Sequence, residues 1–116
     1  MKTLIIYNHP HEGSFCSAIR DAVISGLDIG GHEYKVINLD KDGFDPVMRE
    51  KDLKAFVEGG RDSEMWPEGV DSLVMNYVQK MQWAERIVMI FPIWWMSVPA
   101  MIKGFVDKVI FPGVAY

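Results

Sequence analysis

Cysteine is nearly absent from this sequence, and basic runs and uninterrupted membrane-length apolar stretches are missing altogether. The single cysteine, Cys16, excludes an intrachain disulfide and a cysteine-built metal site. A net charge of −4 without a basic run makes nucleic acid and anionic membranes poor partners. Pro92, Ser97 and Pro99 break the longest apolar region, so we expect no membrane insertion. No signal peptide is visible after Lys2, and with the lone cysteine this predicts a cytoplasmic location.

Three apolar segments alternate with helical patterns along the chain. Residues 3–7 and 34–39 read as strands, and residues 87–91 form a continuous apolar run typical of a strand covered on both faces. Residues 58–69 are interpreted as an ordered surface loop. Apolar residues at helical spacing predict helices over residues 14–29, 47–57 and 70–81, and a fourth that begins near residues 97–99.

The alternation predicts an α/β fold with a doubly wound parallel sheet and helices on both faces. We expect strand order 2-1-3 in a single domain that spans residues 1–116. Sheets of this kind normally carry further strands, so the third strand would present an open apolar edge. Either another chain covers that edge or the sequence is the N-terminal part of a longer protein, and we favour the second interpretation.

The loop after the first strand is the first candidate site. A helix N-terminus offers unpaired N–H groups and the positive end of the helix dipole, which together favour phosphate. His9 adds a donor or a positive charge, Ser14 adds a hydroxyl, and Gly13 lets the backbone approach an anion. The P-loop and G-x-G-x-x-G patterns are absent, and Ser14 as a simple helix cap is an equally good interpretation. For Cys16 we favour a small packed residue over a low-pKa thiol.

The aromatic loop at residues 92–96 is the second candidate site. Trp94 and Trp95 cannot both be core residues of a strand, because successive side chains point to opposite faces. Taken alone, such a loop is more often packing or a dimer surface than a cofactor site. Both loops follow adjacent strands at the point where strand order reverses, which is where α/β sheets bind ligands. A phosphorylated planar ligand fits this pair, whereas no metal-ligand spacing or nucleophile–base pair stands out.

The motifs in the two loops resemble those of a known family, the flavodoxin-like NAD(P)H:quinone oxidoreductases of the DT-diaphorase type. The family's H-x-x-x-x-S-F-x-x-A is matched by His9, Ser14, Phe15 and Ala18. Segments 43–46 and 115–116 are similar to further family segments, so the resemblance spans the chain. The longer pattern F-P-x-x-W-x-x-x-P-A-x-x-K-G-x-x-x-x-V is matched by Phe91, Pro92, Trp95, Pro99, Ala100, Lys103, Gly104 and Val109.

The resemblance implies a flavoenzyme that transfers hydride from NAD(P)H through the flavin to a quinone-like acceptor in two-electron steps. It implies FAD, with FMN as the alternative, and a homodimer. Tyr116 is similar to a family tyrosine that borders the substrate pocket across the dimer interface, and it is the candidate catalytic residue. The residues implied to hold the flavin phosphate or pyrophosphate are His9, Ser14, Phe15 and Cys16. The residues implied to line the isoalloxazine ring are Pro92, Ile93, Trp94, Trp95 and Met96.

Two alternatives remain open at this stage. The family's fourth strand, its glycine-rich flavin loop and its Tyr/His pair near the ring have no counterpart here, so the resemblance implies truncation after the third βα unit. A non-catalytic flavodoxin-like fragment that acts as a binding or interaction module is therefore one alternative. An azo- or nitroreductase on the same fold is the other, since the sequence does not separate it from a quinone reductase.

Overall fold

The computed structural model describes residues 1–58 and 71–110, apart from the side chains of residues 55–58. The predicted loop at 58–69 therefore falls almost wholly outside the described residues, and so do Ala115 and Tyr116. The elements in chain order are β1 (Thr3–Tyr7), α1 (Phe15–Ile29), β2 (Tyr34–Asn38), α2 (Glu50–Glu58), α3 (Ser72–Trp83), β3 (Arg86–Ile90) and α4 (Ala100–Val109).

The three strands form one parallel sheet in the order β2-β1-β3. Tyr7 at the end of β1 is opposite Asn38 of β2 and Ile90 of β3, so all three strands end at the same edge. All five residues of β1 are buried, as expected for the central strand. The predicted α/β class and the predicted strand order 2-1-3 are confirmed.

Helices cover both faces of the sheet. Ile5 and Tyr7 of β1 belong to a core cluster with α1, whereas Leu4 and Ile6 belong to a second cluster with α3 and α4. This division follows from the strand pleat, because alternate side chains point to opposite faces. The larger cluster contains the buried stripe predicted for α3 and the inner face of α4: Val74, Tyr77, Val78, Met81, Ile102, Phe105 and Val109.

β3 is less covered than its sequence predicts. Ile87 is 43% exposed, and only Ile90 of this strand is buried. The expectation of a strand covered on both faces is wrong for the described part of the chain. There β3 pairs with β1 on one side only and is an edge strand, which agrees with the predicted open apolar edge.

Two helix starts differ from the predicted ones because side chains fix the boundary. α2 begins at Glu50 rather than at residue 47, since the Asp52 carboxylate accepts a hydrogen bond from the Arg49 backbone N–H at 2.8 Å, as in a capping box. α4 begins at Ala100 with Pro99 as its N-cap, and Ser97 is instead part of the preceding turn. Both shifts lengthen the loops that leave the carboxyl edge of the sheet.

Candidate functional site

Ser14 caps the helix that leaves the first loop. Its Oγ accepts a hydrogen bond from the Ser17 backbone N–H at 3.1 Å, and the Ser17 hydroxyl donates to the Ser14 carbonyl at 2.6 Å. The backbone N–H groups of Phe15 and Cys16 lie in the first turn of α1, where the helix offers no carbonyl to accept from them. They therefore remain donors at the positive end of α1. The capping role and the phosphate role are therefore compatible, because the Ser14 hydroxyl hydrogen is not used by the cap.

His9 is held in one tautomer by its own loop. Its Nδ1 accepts a hydrogen bond from the His11 backbone N–H at 3.0 Å, which places the ring proton on Nε2. The Ser14 backbone N–H donates to the His11 carbonyl at 3.2 Å and closes the same loop. The His11 ring lies over Gly13, where an added Cβ would come 2.9 Å from the His11 Nε2. The loop therefore presents an Nε2–H donor beside the start of α1.

The acidic residue of the first loop is neutralised within the structure. Glu12 forms an ion pair with Arg20 of α1 at 3.4 Å, and Arg20 also contacts Asp21 at 3.1 Å. The Arg20 guanidinium lies 4.6 Å from the centroid of the buried Tyr7 ring, and this contact holds the guanidinium against the end of β1. An anion at the N-terminus of α1 thus does not face an uncompensated carboxylate.

The aromatic loop is a tight turn in an unusual backbone conformation. Trp94 and Ser97 exchange two backbone hydrogen bonds of 3.0 and 3.2 Å. The two residues between them, Trp95 and Met96, have φ values of 52° and 63°. A two-residue turn with both φ values positive ordinarily takes Asn-Gly, so large side chains there cost of order 1–3 kcal/mol each. Both side chains are 94% exposed, so packing within the described residues does not explain them.

The structure brings the two candidate loops together at one edge of the sheet. The Asn8 backbone N–H donates to the Ile90 carbonyl at 3.0 Å, which joins the ends of β1 and β3. The rings of His9 and Trp94 meet edge to face, with centroids 6.1 Å apart and an interplanar angle of 65°. Apolar side chains, including Ile93, are exposed on this edge. A donor-rich helix start thus lies beside an exposed aromatic turn.

The remaining predicted site residues differ in how far their side chains are exposed to a ligand. Cys16 is buried against the α1 side of the sheet, so its thiol is a packing group and only its amide faces the loop. Phe15 is exposed at the start of α1, and Pro92 is half-buried. Tyr116, the candidate catalytic residue, lies outside the described residues.

Asn8 is a residue of this edge that the sequence did not single out. It is buried, and its Nδ2 donates to the Asp40 carboxylate at 2.7 Å, which ties the end of β1 to the loop after β2. Its Oδ1 is buried without a hydrogen-bond partner in the described structure. In the sequence, Asn8 is marked only by its position directly after a buried strand. Many ordinary turn residues share that position, so it does not indicate a functional residue.

Across residues 1–58 and 71–110, no cluster of three His, Cys, Asp or Glu side chains is arranged to hold a metal ion. No helix in those two ranges has both the length and the apolar character needed to cross a membrane.

Comparison with known proteins identifies the fold family of the chain and several relatives. A family model described as "Flavodoxin-like fold" matches residues 1–116. A ribosyldihydronicotinamide dehydrogenase-like protein of Penicillium crustosum is 29% identical over 94% of this chain and 43% of its own length. An uncharacterized NAD(P)H oxidoreductase of Escherichia coli is 30% identical over 97% of this chain and 54% of its own length.

A solved structure with the same fold agrees with these relatives. The NAD(P)H:quinone oxidoreductase from Methanothermobacter marburgensis is 29% identical and superposes with a TM-score of 0.84. The match covers 100% of this chain and 56% of the solved one. The chain therefore spans about half the length of the relatives that it matches.

Proposed function

Because this chain belongs to the flavodoxin-like family of NAD(P)H:quinone oxidoreductases, we propose that it is part of a flavin-dependent enzyme that passes two electrons from NAD(P)H to a quinone-like acceptor. The observation that carries the proposal is the exposed turn at Trp95 and Met96 beside the start of α1. Strained backbone persists only where the surroundings enforce it, and it clusters at ligand sites.

The first loop fits the phosphate or pyrophosphate of a flavin. His9 offers its Nε2–H, Ser14 offers its hydroxyl hydrogen, and the amides of Phe15 and Cys16 point from the positive end of α1. These are N–H and O–H donors in a closed loop, a set that suits an anion and not a metal. Pairing of Glu12 with Arg20 removes the nearest opposing charge.

The second loop fits the flavin ring. Trp94, Trp95 and Met96 offer flat or polarisable apolar surface, and Ile93 extends it. A bound flavin would supply the redox chemistry, which is acceptance of hydride from the nicotinamide and delivery of two electrons to the acceptor. The chain's own residues would bind the ring, orient it and keep water from one of its faces. No side-chain nucleophile is needed for this role.

The finer parts of the proposal come from the family resemblance. We favour FAD over FMN as the flavin and a homodimer as the assembly. Tyr116 is proposed to border the acceptor pocket from across the dimer interface. Residues 1–116 are proposed to be the N-terminal part of one flavodoxin-like domain.

The direct experiment measures flavin uptake and its reduction. The purified protein is mixed with FAD or FMN and filtered, and NADH or NADPH is added to the yellow fraction without a quinone present. We expect retained colour that the reduced nicotinamide bleaches and that a quinone restores. Restoration by an azo or nitro compound in place of the quinone would identify the alternative acceptor class.

Two alanine variants test where the ring binds. Trp95→Ala removes an exposed aromatic side chain that we place against the flavin, and we expect retention to fall about three- to tenfold. His11→Ala is the matched control in the first loop, because its side chain is placed over Gly13 and not against the ring. Equal retention by the two variants would contradict this placement.

A non-catalytic interaction module is the second candidate, and the exposed edge of β3 favours it. Ile87 on that edge is open to contact with another polypeptide. Protein that stays colourless and takes up neither FAD nor FMN would support this candidate over the enzyme.

A further inference from the structure

Met96 is the most exposed of the methionines that the structure describes, followed by Met1, which is 60% exposed. The Met96 side chain is 94% exposed, compared with 38% for Met48 and 8% for Met81. Met75 and Met89 are half-buried. Oxidation of methionine follows exposure of the sulfur, so these residues differ in their susceptibility to an oxidant.

The exposure of Met96 is built into the backbone. The hydrogen bonds between Trp94 and Ser97 close the turn on both sides, and the φ of 63° at Met96 fixes the direction in which its side chain leaves. Met1 is also exposed, but it lies at the start of the chain, where its amino group is 3.0 Å from the His32 Nδ1, and not in the aromatic loop. Met96 is instead held outward at the edge of the sheet, next to the equally exposed Trp95.

From this geometry we propose that Met96 is a reversible sulfoxidation site that weakens flavin binding when it is oxidised. The inference rests on the proposed function, because it assigns a regulatory modification to the same turn that is proposed to bind the ring. The oxidant class is a peroxide. Selectivity for Met96 over Met48 and Met81 comes from accessibility alone.

The reaction is balanced without any further cofactor. A sulfur lone pair attacks one peroxide oxygen, an S–O bond forms and the O–O bond breaks. The sulfur loses two electrons to give the sulfoxide, and the peroxide is reduced to water or to an alcohol. The same exposure leaves the sulfoxide open to the thiol-dependent reductases that reverse the reaction, one for each sulfur epimer.

The consequence follows from the polarity of the product. A sulfoxide places a strongly dipolar S=O group where the turn otherwise offers apolar surface. Loss of apolar contact equivalent to about one methylene weakens binding about fourfold. Oxidation of Met96 is therefore expected to raise the Kd for FAD about fourfold, and reduction of the sulfoxide is expected to restore it.

The test combines peptide mass spectrometry with flavin titration. The flavin-free protein is treated with limiting hydrogen peroxide, and the gain of one oxygen atom is followed at each methionine over time. We expect Met96 to be modified before Met48 and before Met81, and we expect added FAD to slow modification of Met96 only. Modification of Met96 no faster than Met81 would overturn the inference.

Two leucine variants connect the modification to binding. In Met96→Leu, whatever its starting affinity, peroxide is expected to leave the Kd for FAD unchanged. In Met48→Leu, which lies outside the proposed site, the fourfold rise is expected to persist. Untreated protein that binds FAD, with the same Kd after Met96 is oxidised, overturns this inference alone. Untreated protein that binds no flavin overturns the proposed function, and the inference with it.

Discussion

Trp95 and Met96 adopt a backbone conformation that asparagine and glycine adopt at much lower cost. With φ values of 52° and 63°, the pair forms a turn for which the bulky side chains give no compensating contact among the described residues. A chain selected for stability alone would place small or flexible residues here. Packing among the described residues does not account for these side chains, which is the reason to connect them with a ligand.

The double variant Trp95→Asn, Met96→Gly separates stability from binding. Because asparagine still bears part of the cost of a positive φ, the strain is only partly relieved, and the free energy of unfolding is expected to rise by roughly 1–3 kcal/mol in total, whereas flavin retention is expected to be lost. Denaturant unfolding and flavin filtration measure the two effects. Ile93→Asn, a similar apolar-to-polar change at an exposed residue without a positive φ, is expected to give no gain in stability. A double variant that is less stable than the parent would argue against strain at this turn.

The pKa of the Asp45 carboxyl group lies below the usual range for aspartate. Hydrogen bonds from the Arg49 guanidinium and then from the Val47 backbone N–H, with the nearby Lys108 charge, lower its pKa from 3.8 to about 2. A depressed pKa means that the folded state favours the carboxylate. Its contribution to stability is therefore fully present above pH 3.8 and is lost as the pH falls towards about 2.

The Asp45→Asn variant tests this titration. The stability difference between parent and variant is expected to shrink as the pH falls from about 4 to about 2, because the parent loses the contribution that the variant lacks. Urea unfolding at several pH values across that window measures it. A difference that stays constant with pH would show that Asp45 titrates normally.

Sequence patterns located both candidate loops, but they did not predict the backbone conformation of the aromatic loop or the hydrogen bonding of His9. His9, Ser14 and the aromatic residues follow from their positions after strands. The positive φ values at Trp95 and Met96 do not, because neither residue type signals the left-handed region. The tautomer of His9 likewise depends on a contact with the His11 backbone that no spacing rule gives.

At the scale of elements, α4 is the helix that fixes the loop after β2 against the core. Gly104 and Lys108 are four residues apart and so share one face of the helix. Gly104 lies against Pro46, where a Cβ would come within 2.3 Å of the Pro46 Cα and carbonyl oxygen. Lys108 is 5% exposed at its side chain, and its Nζ donates to the Asp45 carbonyl at 2.8 Å.

Two glycine-to-alanine variants compare a crowded helix position with an open one. Gly104→Ala is expected to destabilise the protein by about 2 kcal/mol or more, because α4 must move away from Pro46. Gly26→Ala in α1 has no atom within 4 Å of the new Cβ, and it is expected to stabilise by about 0.5–1 kcal/mol. Thermal unfolding of both measures the contrast. The same sign for the two variants would contradict the packing of α4 on Pro46.

Lys108 is predicted to matter far more than Lys103 on the same helix. Lys108→Met leaves the Asp45 carbonyl and the largely buried Asp52 carboxylate, 3.3 Å from the Nζ, without their cation, at an expected cost of about 2–3 kcal/mol. Lys103→Met breaks only an exposed i,i+4 pair with Asp107, worth about 0.5 kcal/mol or less. Denaturant unfolding compares them, and similar losses would count against the buried contact.

The elements themselves were largely predictable, and their long-range contacts were not. Periodicity located the strands and α3 to within about two residues, because each has a clear apolar pattern. The start of α2 depended on capping by Asp52, and the role of Lys108 depended on partners more than fifty residues away in sequence. Local patterns carry no information about such partners.

At the scale of the whole molecule, the three strands form one parallel sheet with β1 in the centre. Parallel pairing of β1 with both neighbours and the reversal of strand order beside β1 bring the two loops to one edge. The edge beyond β3 is open in the described structure, and the chain spans about half the length of its relatives. The homodimer and the cytoplasmic location stay predictions.

The central claim is that one loop binds a phosphate while the other binds a flat ring, and calorimetric titration of FAD and FMN against riboflavin tests it most directly. Riboflavin keeps the ring but lacks the phosphate. We predict that both phosphorylated flavins bind at least about tenfold more tightly than riboflavin, that His9→Ala reduces this difference, and that Trp95→Ala weakens all three ligands alike. Equal affinity for riboflavin and the phosphorylated flavins, or no binding of any of them, would contradict the claim.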